Sequence, residues 1–94
     1  MSSQEETGEI GLLNELLEEE KHENAKTLAD SLYVRYFQMY KMVMRHRELY
    51  VRAGDDKRLE GADRALIPII SLLETLRNIS DGLQIKLLQS NKSA

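Results

Sequence analysis

His22 and His46 are the two imidazoles of a chain that has no cysteine. Metal or acid–base chemistry would have to be assembled around them. Glu18, Glu19 and His22 stand at spacings of four and three, and Glu19-x-x-His22 is the ligand pair that di-metal carboxylate bundles use twice, with further carboxylates. Here the pair occurs once, and position 43, three residues before His46, is a valine. No metal site is expected. Nucleophilic catalysis lacks a cysteine and a Ser-centred motif, and the two histidines fall on different expected helices without an orienting partner. The five glycines are scattered and form no phosphate-cradling loop. The sequence is therefore read as non-enzymatic, with no catalytic residue and no cofactor.

The basic residues raise a second chemistry. Phosphate binding needs several cations on one face. At 100° per residue, Lys41, Arg45 and Arg52 share a strip with Gln38 and Glu48 that is about 80° wide. Glu48 lies four residues before Arg52, placed to pair with it. A nucleic-acid-binding regulator using Lys41, Arg45 and Arg52 is thus one alternative reading. A small all-helical enzyme with a site between subunits, drawing on Arg35, Arg47 and His46, is another.

The elements that carry these residues are helices. Apolar spacing of three and four recurs along the chain, and alternation at period two is absent. Ile10, Leu12, Leu13, Leu16 and Leu17 stripe a first helix over 8–22. The seven residues 18–24 hold no apolar side chain, which places a break near Asn24. Thr27 to Asp30 has the spacing of a capping box for a second helix, expected over 25–53. Its heptad seam is Ala29, Leu32, Tyr36, Met39, Val43, His46, Tyr50 and Ala53. Gly54 is suited to the left-handed conformation that closes a helix, and Asp55 or Asp56 to capping the next. A third helix over 56–89 carries the seam Leu59, Ala62, Leu66, Ile69, Leu73, Leu76, Ser80, Leu83 and Leu87, with Ser71, Glu74, Thr75, Asn78 and Asp81 opposite. Pro68 either kinks it or marks a helix start. Residues 1–7 and 90–94 read as disordered tails. The fold class is all-α: a short N-terminal helix and a long antiparallel helical hairpin, resembling a three-helix bundle.

The second helix has more apolar surface than this arrangement uses. Ten of the thirteen residues from 32 to 44 are apolar, whereas an ordinary surface helix is polar over more than half its circumference. Tyr33, Phe37, Tyr40 and Met44, spaced four, three and four, form a second face beside the seam. Arg47 follows at the end of that face, either laying its stem on apolar neighbours or meeting a carboxylate. The bland account has the first helix covering this face. The expectation adopted is that a second copy does, so Tyr33, Phe37, Tyr40, Met44 and Arg47 are the candidate interface residues.

Size and charge agree with association. Ninety-four residues make one domain at most, and chains this short often gain stability by associating. The net charge of −3 conceals segregation: residues 1–30 carry nine acids and two bases, whereas 31–52 carry five bases and one acid. No apolar run reaches the roughly 18 residues of a membrane span, and the acidic N-terminus is unlike a leader. The sequence thus predicts a cytoplasmic or nuclear interaction module, regulatory or assembling, that forms a homodimer and engages another protein. Nucleic acid is the less favoured partner and a membrane is not expected.

Overall fold

A computed structural model describes the backbone of residues 2–93 and the side chains of residues 8–90. Three helices follow in order, α1 (Ser2–Glu18), α2 (His22–Ala53) and α3 (Asp56–Ser93), with no strand among the described residues. The all-helical class is as expected, and α2 and α3 pack against each other as an antiparallel hairpin. The molecule measures 59 × 29 × 14 Å. The expected disordered tails, 1–7 and 90–94, fall largely outside the residues with described side chains.

Helix boundaries differ from expectation where the chain turns. The first break falls at Glu19–Lys21, not at Asn24, and Glu20 makes it by adopting φ 57°. This places the break between Glu19 and His22, so the helical register that would have put the two side by side is interrupted. Thr27–Asp30 is not a helix start; it lies inside α2, whose first residue follows Lys21 with no side-chain cap. Asp30 spends its oxygens elsewhere, accepting from Lys26 Nζ at 2.7 Å and from the Ser80 hydroxyl on α3.

The second turn is as read. Gly54 takes φ 69°, and the amides of Gly54 and Asp55 donate to the carbonyls of Val51 and Tyr50, closing the last turn of α2. Asp55 then accepts the Arg58 amide at 3.1 Å and caps α3. Helix α3 continues through Pro68 and through Ser80–Gly82 without interruption. Pro68 therefore starts no helix. Its ring is exposed, which leaves water free to satisfy the carbonyl that its missing amide cannot reach.

The core sits where three helices overlap. Leu13 of α1, Ala25, Ala29, Leu32 and Tyr36 of α2, and Ile69, Leu73, Leu76 and Leu83 of α3 form one cluster. Ala25 and Ala29 are completely buried within it. Beyond Tyr36 the α2 seam dries less completely: Val43 and Tyr50 are half-buried, and Met39, His46 and Ala53 are exposed. Towards the Gly54 turn α2 has α3 alone as a neighbour, and a helix packed on one side dries one stripe.

Candidate interaction face

The face is built from the aromatic side chains of α2 upward. Spacings of four and three place Tyr33, Phe37 and Tyr40 on one side of a helix. Their rings stack in sequence, with centroids 6.1 Å apart for Tyr33–Phe37 and 6.0 Å for Phe37–Tyr40 and interplanar angles of 10° and 21°. Offset stacking at such separations adds about 0.5–1.5 kcal/mol per pair beyond burial. The Lys41 ammonium sits 5.5 Å over the Phe37 ring, held by the electron-rich face. Phe37 and Met44 remain 38% and 37% exposed, and Tyr33 and Tyr40 are half-buried.

Helix α1 does not cover this face. Glu9 pairs with Arg35, and Arg35 lies about 160° around α2 from Phe37 at 100° per residue. Leu13 is buried in the core and Leu16 and Leu17 pack against it, as does Leu28, which lies about 180° around α2 from Phe37 at 100° per residue. The aromatic row is flanked instead by α3. Tyr33, Phe37, Tyr40, Ile70, Leu73, Glu74 and Arg77 line one open groove between the two helices. Ile70, 41% exposed, was missed in the sequence because it lies off the α3 heptad seam. Its signal is an off-seam apolar residue three positions before Leu73.

Towards the Gly54 turn the face becomes basic. Tyr40, Lys41, Met44, Arg45, Arg47, Glu48 and Val51 line a second concavity on α2. Arg47 meets a carboxylate, as one of its two expected arrangements had it: Nε donates to Asp63 Oδ1 of α3 at 2.6 Å. Both side chains are well exposed, so the pair is worth about 0–1 kcal/mol. Arg52 bonds Glu48 at 2.8 Å, as the spacing indicates. Lys41 and Arg45 have no carboxylate within salt-bridge reach among the described residues.

The other candidate chemistries are not brought together. Arg35 engages Glu9 on the α1 side. His46 lies beside Tyr50, with ring centroids 6.3 Å apart, in a groove with Val43, Arg58, Gly61, Ala62 and Ala65. Arg47 lines a different concavity from His46. Among the described residues no three His, Asp or Glu side chains group as a metal site. Among the described residues no helix is long and apolar enough to cross a membrane.

The chain matches no protein-family model, no curated protein and no solved structure.

Proposed function

We propose that this chain is a small, non-enzymatic helical module for protein–protein interaction, a regulatory or assembly subunit that acts as a homodimer. Its docking surface is the face of Tyr33, Phe37, Tyr40 and Met44, bounded by Arg47. One observation carries the reading: a row of stacked rings on the α2–α3 hairpin lines an open groove that no described side chain of α1 enters. Fully burying one large apolar side chain contributes about 1.5–3 kcal/mol, and Tyr, Phe, Met and Arg are types enriched where proteins meet. A contiguous apolar patch with a polar rim is a docking signature.

The test is mass in solution. By light scattering at micromolar concentration, the native chain is expected at the mass of two copies. The double variant Phe37→Glu, Tyr40→Lys is expected at one copy, with helical circular dichroism retained because both residues are partly exposed. Equal masses for the two proteins would mean that copies do not meet there.

Nucleic-acid binding through Lys41, Arg45 and Arg52 has less behind it. Arg52 is engaged by Glu48, which leaves Lys41 and Arg45 as the cations of that strip with no carboxylate partner among the described residues. DNA or RNA binding that weakens steeply with added salt would favour that alternative.

A further inference from the structure

The homodimer reading leaves open how the copies lie, and the rims of the face answer that. Resting on that reading, we propose that the two copies pack face to face about a two-fold axis parallel to the helices. In this arrangement α2 of each copy lies over α3 of the other, and Lys41 of one copy meets Glu74 of its partner.

Arg47 pairs with Asp63, and Asp30 with Ser80; each α2 residue n therefore lies level with α3 residue 110 − n. Tyr40 and Ile70 are level with each other at the middle of the apolar face. The rims differ in charge. On the outer edge of α2, Lys41 and Arg45 have no carboxylate within salt-bridge reach among the described residues. On the outer edge of α3, Glu74 and Asp81 have no cation within salt-bridge reach among the described residues. Arg77, between them on α3, lines one groove with Glu74 and another with Asp81 and Asp30 of its own chain.

Face-to-face packing of two such hairpins allows two two-fold axes. An axis across the helices at the Tyr40–Ile70 level lays α2 on its own copy, so that Lys41 meets Lys41, like charge on like charge. An axis along the helices lays the outer edge of α2 in each copy on the outer edge of α3 in the other, and Lys41 and Glu74 are the oppositely charged pair nearest in height. Lys41 and Glu74 are then five residues apart in height, about 7.5 Å at 1.5 Å per residue. Helical side chains lean towards the N-terminus of their own helix. Because α2 and α3 run in opposite directions, Lys41 leans towards the level of Glu74 and Glu74 leans towards that of Lys41. The lean closes the gap. Opposite charges facing across an interface also fix register and exclude the like-charged alternative.

Charge reversal and a distance measurement test the arrangement. By sedimentation equilibrium, Lys41→Glu and Glu74→Lys are each expected to raise the dimer dissociation constant about tenfold, and the double variant to return it to within about threefold of the native value. The absence of cysteine allows one spin label at an exposed Lys57→Cys. In the proposed dimer the two labels are separated only across the bundle, by about two interhelical spacings of 8–10 Å. With the crossed axis they stand about 39 Å apart along the helices. A dimer with widely separated labels, or single reversals that leave dissociation unchanged, overturns this arrangement while the docking face stands. A native chain that stays monomeric, or a Phe37→Glu, Tyr40→Lys variant that still dimerises, overturns the underlying reading instead.

Discussion

At the scale of single residues, Asp30 shows how a polar group can sit at a helix interface. Burial raises its pKa and is the largest single influence. The hydrogen bonds from Lys26 and Ser80, with the Lys26 charge, outweigh it and hold the carboxyl below its ordinary 3.8. A depressed folded pKa stabilises the folded state at every pH above the unfolded value, and that contribution is lost as pH falls through the folded pKa. In urea titrations, the native protein is therefore expected to lose more stability than Asp30→Asn between neutral pH and pH values below 3.8. Identical losses would show that the carboxylate is not held by these partners. At neutral pH Asp30→Ala should destabilise by about 1 kcal/mol, since the side chain is half exposed and the bonds exchange with water. The sequence presented Asp30 as half of a capping box. A spacing of three cannot distinguish a hydroxyl–carboxylate pair at a helix start from the same residues inside a helix, and the partner that decides, Ser80, is fifty positions away.

At the scale of elements, what was legible followed from local chemistry. The Gly54 turn was readable because closing a helix with a left-handed residue favours glycine, and an aspartate then caps the next helix. The α3 seam was readable because its apolar residues keep one phase from Leu59 to Leu87, and every member is buried or half-buried. The α1–α2 break was misplaced because Glu20, a residue with no turn preference, adopts the left-handed conformation. Ile70 escaped notice because a seam analysis keeps residues in phase and discards the rest. Pro68 shows a local rule yielding to its surroundings: α3 continues past it, held by Leu66, Ile69 and Leu73 on the packed side. Proline is about 3 kcal/mol less favourable than alanine inside a helix. Replacing Pro68 with alanine should therefore raise stability to chemical denaturation by about 1–3 kcal/mol, part of the penalty being relieved by solvent at this exposed site. No gain would show that the helix is already accommodated to the ring.

At the scale of the whole molecule, the distribution of dry surface decides how the chain behaves. Helix α1 overlaps only part of the hairpin, and it does so on the Arg35 side. The opposite side carries Tyr33, Phe37, Tyr40, Met44 and Ile70, flanked among the described residues by α3 alone. Anything that binds the folded state and not the unfolded chain raises its apparent stability by mass action. If the ligand is a second copy, that gain grows with the protein's own concentration. The midpoint of thermal unfolding should therefore climb as the chain is concentrated from micromolar to hundreds of micromolar. In Phe37→Glu, Tyr40→Lys the midpoint should be flat over the same range. A two-state dimer gains about 1.4 kcal/mol of association free energy for each tenfold rise in concentration, and in a chain of this size 1 kcal/mol moves the midpoint by about 4–8 °C. The shift is therefore well within the reach of circular dichroism. A native midpoint independent of concentration, measured where light scattering gives the mass of one chain, would mean that the aromatic row stays wet and that the hairpin tolerates it unaided.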